Sequence, residues 1–214
     1  MKKIILDLCG GTGSWSEPYK EAGYAVVLIT LPEYNILKAY TDGTNIHFPH
    51  STMPETVIPF DKIYGILAAP PCTEFSLAKG NSSRNFTSAM RVVEACFFII
   101  WSARANGSLQ FWALENPTGF LRQFLGKPPF TFFQWEFGGE YVKRTDLWGY
   151  YKKPKVQVKI KPQNILAGEK HTSHSKQWSN PKKPDKYKDL KLNRAAIRAI
   201  TPPGFARAFM EANP

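Results

Sequence analysis

Ile4-Ile5-Leu6-Asp7-Leu8-Cys9-Gly10-Gly11-Thr12-Gly13-Ser14-Trp15-Ser16-Glu17, close to the amino terminus, sets the architecture. The apolar run Ile4-Ile5-Leu6 ends at Asp7, and the glycines that follow read as a tight turn after a short buried strand. Ser14-Trp15-Ser16-Glu17 has the Ser-x-x-Glu spacing of a capping box, so a helix is expected from Ser14 to the stop at Gly23. Strand, glycine turn and helix form the opening unit of a parallel α/β sheet. Such a turn lets a ligand approach the backbone closely and offers it amides at a helix start.

The same alternation continues outward. Ala25–Ile29 and Ile63–Ala68 are apolar runs bounded by turn residues, long enough for buried parallel strands. Between residues 86 and 105, Val92, Val93, Cys96, Phe97, Ile100 and Trp101 recur at helical spacing and predict a core-packing helix. Residues 111–114 read as another buried strand, 120–125 as a short helix, and 131–137 and 146–150 as later strands. Prolines 154, 162, 181 and 184 break the segment 150–191 into loops. Regularity returns at 192–200, and Thr201-Pro202 has the form of an N-cap followed by a first-turn proline, opening a helix to residue 212. A mostly parallel sheet covered by helices on both faces is expected, within a single domain over residues 1–214.

The 214 residues, 43% hydrophobic and 14% aromatic, suffice for one sizeable core and exclude a disordered chain. The amino terminus lacks the long apolar core of a signal peptide, and no run approaches the roughly 20 apolar residues of a membrane span. Three cysteines, an odd and sparse set, suit reduced thiols in a cytoplasmic protein. Net charge is +11, and residues 150–191 carry 12 lysines and no arginine against 3 acidic residues, so most of the excess lies there. Lysines interleaved with Tyr150, Tyr151, Trp178 and Tyr187 suit a polyanion, because ammonium groups displace counterions while rings pack on sugars or bases. The competing reading is a solvated, solubilising loop. His171-x-x-His174 has no cysteine or carboxylate at ligand spacing, and no metal is expected.

In an open parallel sheet, ligands bind beyond the carboxyl ends of the strands. The glycine turn fits the G-x-G-x-x-G dinucleotide fingerprint poorly because its third glycine is missing, which favours S-adenosylmethionine, although many folds use glycine merely to turn. After the third strand comes Ala68-Ala69-Pro70-Pro71-Cys72-Thr73-Glu74-Phe75-Ser76. A cysteine held by two prolines at a strand end can attack an electrophile if its thiol is activated; taken alone it is more commonly a small buried apolar residue. Glu115-Asn116-Pro117 follows the strand at 111–114. A carboxylate there is either a loop residue paired with a lysine or, with Cys72 in the same cleft, the proton donor of a nucleophile–acid pair.

Taken in order, Asp7-Leu8-Cys9-Gly10-Gly11-Thr12-Gly13, Pro71-Cys72-x-x-Phe75-Ser76 and Glu115-Asn116 resemble the DNA cytosine-5 methyltransferases. Residues 67–76, Lys143-Arg144-Thr145-Asp146-Leu147-Trp148-Gly149 and residues 201–209 look most like the short bacteriophage-encoded members, which implies the cytoplasm of a bacterial host. The resemblance spans residues 1–149 and about 193–213. It implies a Rossmann-like S-adenosylmethionine-dependent methyltransferase fold with a small basic loop-rich insertion, acting on DNA, without a membrane, as a monomer. Cys72 would add to carbon 6 of a cytosine while Glu115 serves N3, and carbon 5 would take the methyl group; the base must flip out of a duplex or be single-stranded. Ser76, Lys143 and Arg144 join the catalytic set. Asp7, Leu8, Cys9, Gly10, Gly11, Thr12, Gly13, Ser14, Trp15, Thr30, Leu31 and Pro70 are the expected cofactor residues.

The chain departs from the family in several places. Matching Phe137-Gly138 to the element before the family's basic pair puts Lys143 at the first arginine and Thr145 at the second, with Arg144 between them. Thr30-Leu31-Pro32-Glu33 stands where an acidic residue usually holds the cofactor ribose, leaving Glu33 or the backbone for that role. The adenine contact falls at Asn35-Ile36 or Asn45-Ile46. Thr73 replaces a glutamine and Pro117 a valine. Segment 150–191 occupies the place of the target-recognition region but is short and rich in lysine, which favours phosphate contact over guanine readout and implies low sequence specificity or a very short site. The alternatives are the same chemistry on RNA, a related transfer to carbon 5, and a DNA-binding homologue that has lost catalysis.

Overall fold

The computed structural model describes residues 3–107, 109–139, 142–163 and 183–214. His171, His174 and Trp178 lie outside the described residues. Among the described residues, nine strands and five α-helices run in the order β1 (Ile4–Leu8), α1 (Glu17–Glu21), β2 (Ala25–Ile29), β3 (Tyr40–Thr41), β4 (Asn45–Phe48), β5 (Thr56–Pro59), β6 (Ile63–Ala68), α2 (Phe86–Asn106), β7 (Phe111–Pro117), α3 (Leu121–Leu125), β8 (Phe130–Phe133), β9 (Arg144–Tyr150), α4 (Arg194–Ala199) and α5 (Pro203–Ala212). Six strands form one sheet in the order β2-β1-β6-β7-β9-β8. The first four are parallel; β9 runs antiparallel to both β7 and β8. The sheet is therefore mixed, an α/β arrangement with an antiparallel edge.

Alternation along the strands sends side chains to two cores. Ile5, Leu67, Phe111, Ala113 and Leu147 face one side, where Trp15 and Tyr19 pack with Phe205 and Phe209 of α5. Leu6, Leu8, Ile66, Ala68, Trp112 and Leu114 face the other, against Val93, Cys96, Ile99 and Ile100 of α2. With apolar residues on both faces, these strands read as continuous hydrophobic runs, and helices cover both sides.

Several boundaries differ from the sequence expectation. Asp7 lies inside β1, fully buried, and does not end the strand. The capping box at Ser14 does not form: α1 begins at Glu17 behind Ser16, because the Ser14 hydroxyl accepts from the Thr201 amide (2.9 Å) and the Ser16 hydroxyl donates to Asp7 (2.6 Å). β7 continues through Glu115 to Pro117, since β9 pairs with it that far, so Glu115 stands within the strand. Residues 134–137 form a 3-10 turn beyond β8, and Pro202, not Thr201, caps α5. The separate antiparallel sheet β3-β4-β5 was not foreseen. Among the described residues one helix, α2, is long and apolar enough by length and composition to cross a membrane, contrary to the expectation that no run comes close. Its buried stripe here covers the sheet.

Asp146, wholly buried on β9, ties the antiparallel edge to α3. It accepts from Arg122 Nε and Nη2, both at 2.6 Å, and from the hydroxyls of Thr118 and Thr131, both at 2.8 Å. Arg122→Ala leaves that carboxylate without its countercharge, and a loss of about 3 kcal/mol is expected. A lowered urea midpoint at unchanged slope is the measurement; a midpoint equal to wild type would mean that the pair contributes nothing to stability.

Candidate functional site

The chain leaves β1 through α1 to β2 on one side and later returns to β6 on the other, so a topological switch point lies between the carboxyl ends of β1 and β6. Such a crevice is where open α/β sheets take ligands. The turn after β1 is on one lip and the Pro70-Pro71-Cys72 segment on the other.

The turn is tightly constrained. Cys9 holds a left-handed backbone (φ 58°), a conformation uncommon outside glycine, and its side chain packs against the core cluster that contains Cys96 of α2. A Cβ on Gly10 would stand 2.1 Å from Asp7 Oδ1, so only glycine lets the turn close over that carboxyl. Asp7 Oδ1 has no partner, and burial pushes this carboxyl up to about 6. Because the unfolded value is lower, folding favours the neutral form, and stability falls as pH rises between 3.8 and about 6. Asp7→Asn is accordingly expected to gain roughly 3 kcal/mol over wild type at pH 8, at about 1.4 kcal/mol for each tenfold change in proton affinity, and nothing by pH 4. Thermal melts at both pH values check this, and a gain independent of pH contradicts it.

The expected ligand residues divide by position. Gly11 is exposed, Cys9, Gly10, Thr12 and Gly13 are half-buried, and Thr30 and Leu31 stand at the end of neighbouring β2, with Leu31 70% exposed. Leu8, Ser14 and Trp15 are buried; Trp15 packs against Phe205 and Phe209 and supports the turn from the core. Asn35 caps the turn at residues 36–38, Asn45 is bonded to Asp42 in the small sheet, and Ile36 and Ile46 are buried. Glu33 is exposed.

The cysteine segment is fastened at several points. The Cys72 carbonyl accepts from the amides of Phe75 (3.0 Å) and Ser76 (2.8 Å), turning the chain sharply. Asn116 Nδ2 donates to the carbonyl of buried Pro70 at 3.0 Å, joining this segment to the residue beside Glu115. A Cβ on Gly119 would lie 2.2 Å from the Phe75 carbonyl oxygen, so the loops after β6 and β7 meet where only glycine fits. Arg84 donates to the carbonyls of Glu74, Ser76 and Gly80 at 2.6, 3.0 and 2.9 Å. The Ser76 hydroxyl caps the following turn by accepting from the Ala78 amide.

Glu115 and Lys143 form an ion pair at 3.7 Å, with side-chain exposures of 19% and 20%. Lys143 also donates to the Arg198 carbonyl at 3.5 Å. Burial raises the Glu115 carboxyl, opposed by Lys143 and reinforced by Asp146. Burial likewise pushes the Cys72 thiol up; Lys143 and Arg198 pull it down, and Glu115 pushes it further up. Cys72, Glu115 and Lys143 thus share one electrostatic environment. A cleft open to solvent is lined by Glu115, Phe132, Gln134, Lys143, Thr145, Ala199, Thr201, Pro202 and Phe205. Cys72 is not among the residues that line it. Arg144 is exposed with its guanidinium over the Phe133 ring, so of the two adjacent basic residues only Lys143 faces Glu115.

Gln134, Thr201, Arg198 and the Asn116–Pro70 tie were not anticipated. Gln134 left a trace, a polar residue within Phe130-Thr131-Phe132-Phe133-Gln134-Trp135-Glu136-Phe137; the others depend on contacts between distant parts of the chain. Neither comparison with protein-family models nor comparison with curated proteins finds a match to the chain. The described geometry defines an α/β protein with a switch-point crevice and a thiol–carboxyl–ammonium cluster beside it.

Proposed function

We propose that the protein is an S-adenosylmethionine-dependent methyltransferase that modifies carbon 5 of cytosine in DNA. The observation that carries this reading is the convergence of Cys72 beyond β6, Glu115 among the last paired residues of β7 and Lys143 just before β9, with the Cys72 segment tied to β7 through Asn116 and Pro70. A nucleophile, an acid and a cation that share one electrostatic environment match what addition to an electron-poor ring requires.

S-adenosylmethionine fits the switch-point crevice on three counts: the Gly10 turn admits close approach, Asp7 keeps an unpartnered oxygen beneath it, and exposed Leu31 offers an apolar surface for an adenine ring. When bound, it supplies the methyl group. The chain's own residues do the rest. Cys72, as thiolate, adds to carbon 6 of the cytosine while Glu115 gives a proton to N3, so the electron pair moves to carbon 5 without charge accumulating on the ring. Lys143 keeps Glu115 oriented and steadies the negative charge that Glu115 acquires. After transfer, the carbon 5 proton passes to water, the electron pair it leaves expels the Cys72 sulfur from carbon 6 as thiolate, and N3 returns its proton to Glu115, so both residues are restored.

The polyanion partner is supported by Lys152, Lys153, Lys155, Lys159 and Lys161, all exposed along a segment that Pro154 and the bonds of the Gln157 and Val158 amides to the Glu136 carbonyl hold against the fold. Lys183 and Lys186 are committed internally, to backbone carbonyls and to Glu17. The test is label transfer from tritiated S-adenosylmethionine to matched cytosine-containing DNA and RNA, followed by mass analysis of the modified base. 5-Methylcytosine in DNA is the expected product. Label in RNA alone reassigns the substrate, and label in neither overturns the reading.

A further inference from the structure

Helix α2 is apolar on two sides. Val93, Cys96, Ile99, Ile100 and Ala103 are buried against the sheet, whereas Glu94, Phe98, Trp101 and Ala105, at alternating spacings of four and three residues, form an outer stripe in which all four are exposed. Phe98 is 42% and Trp101 51% exposed, two large rings that the described residues leave open to solvent. The Trp101 ring is propped from beneath, edge-on to Trp112 with centroids 5.9 Å apart, and Trp112 in turn meets Phe97 at 5.8 Å. The Arg104 guanidinium lies 5.7 Å from the Trp101 centroid and 5.5 Å from that of exposed Tyr150, which extends the patch. A contiguous exposed apolar patch marks an interaction surface, and tryptophan and arginine carry much of the binding energy where proteins associate.

The charges along the stripe select its occupant. Glu94 precedes the two rings and Arg104 follows them, about 15 Å farther along the axis. Neither has an ion-pair partner among the described residues. Let two copies of α2 face each other, antiparallel, about a two-fold axis midway between Phe98 and Trp101. Each Phe98 then meets the second copy's Trp101, and each Glu94 meets the second copy's Arg104. Arg91, also exposed, falls beside the carboxyl end of the facing helix, where unsatisfied carbonyls favour a cation. In the parallel orientation Glu94 would face Glu94 and Arg104 would face Arg104, and like charges so juxtaposed are costly. The stripe is complementary to itself in one orientation, as an isologous interface requires. We infer that the protein pairs with a second copy of itself through the outer faces of antiparallel α2 helices, in place of the monomer that the family resemblance implies. Because α2 follows the carboxyl end of β6 and delivers the chain to the start of parallel β7, the switch-point crevice lies toward its amino end. The pairing therefore turns the two crevices to opposite ends of the dimer.

A single helix pair covers less than the roughly 800 Å² per partner of a standard interface, so a dissociation constant on the order of micromolar is expected. Sedimentation velocity of the full-length chain from about 1 to 100 μM brackets that range and should show a dimer that grows with concentration. Trp101→Ala and Phe98→Ala should each weaken pairing by about tenfold or more, the loss usual for a central aromatic contact. Glu94→Arg and Arg104→Glu, which set like charges against each other, should each weaken it too, whereas the double variant restores opposite charges and should pair more tightly than either single one. All four side chains are exposed, and thermal melts check that the variants fold. A wild type that stays monomeric throughout, a dimer indifferent to Trp101→Ala and Phe98→Ala, or a double charge variant no tighter than the single ones overturns the inference. A monomer that instead sediments with phosphatidylglycerol vesicles gives this face to a membrane surface and overturns it as well.

Discussion

Cys72→Ser is expected to bring methyl transfer to DNA down by several orders of magnitude, to background in a tritium assay, while S-adenosylmethionine binding stays at the wild-type level. The step at stake is formation of the sulfur–carbon bond at carbon 6, and a serine hydroxyl, ionising far above a thiol, offers almost no anion to make it. Burial already works against the Cys72 thiolate, and only Lys143 and Arg198 oppose that penalty among the side chains around it. The scaffold should be indifferent to the change, because the segment is held by its backbone: the Cys72 carbonyl accepts from the Phe75 and Ser76 amides, and Asn116 Nδ2 donates to the Pro70 carbonyl. Wild-type transfer by Cys72→Ser, with unchanged melting, would remove Cys72 from the chemistry.

Glu115→Gln should lower transfer by about 10²- to 10⁴-fold, the range usual for a positioned general acid, and should change the form of the pH profile. The reactive state needs Cys72 deprotonated and Glu115 protonated. Both groups titrate above their usual values, Glu115 from burial opposed by Lys143, and Cys72 from burial with Glu115 adding to it. Wild-type activity should therefore rise with the thiolate fraction while Glu115 keeps its proton, level off as Glu115 deprotonates, and fall once the thiol is fully ionised, giving a bell with two apparent values that belong to the coupled pair. Glutamine cannot lose that proton and carries no charge. In the variant the alkaline fall should vanish, the residual rate should climb with pH, and the thiol should ionise at lower pH than in wild type. Rates at saturating DNA from pH 6 to 10 test this; a variant with the wild-type bell would deny Glu115 the acid role.

The opening unit was legible because its physics is local. Hydrophobic runs mark β1, β6 and β7 as strands buried on both faces and β2 as a half-buried edge strand, and the spacing of Val93, Cys96 and Ile100 marks one face of α2. The capping box at Ser14 failed because a serine hydroxyl makes whichever bond is nearest, and Thr201, 187 residues away, supplies it. β7 extended past Leu114 because β9 folds back on it, which no window of sequence around residue 115 records. The small sheet β3-β4-β5 escaped notice because its strands are two to four residues long, too short for a periodic pattern.

For the site the division is sharper. Sequence alone determined the candidates, a glycine turn after one buried strand, a proline-locked cysteine after another and a glutamate at a third, since residue type and strand-end position are properties of short segments. Only the tertiary structure decided which of them act together. It set Lys143 against Glu115 with Arg144 turned out to solvent, drew Trp15 into the core, and brought Gln134 and Thr145 into the cleft. The reason is physical: the direction of a side chain on β9 depends on its register with β7, and that register is established by pairing between residues about 30 positions apart.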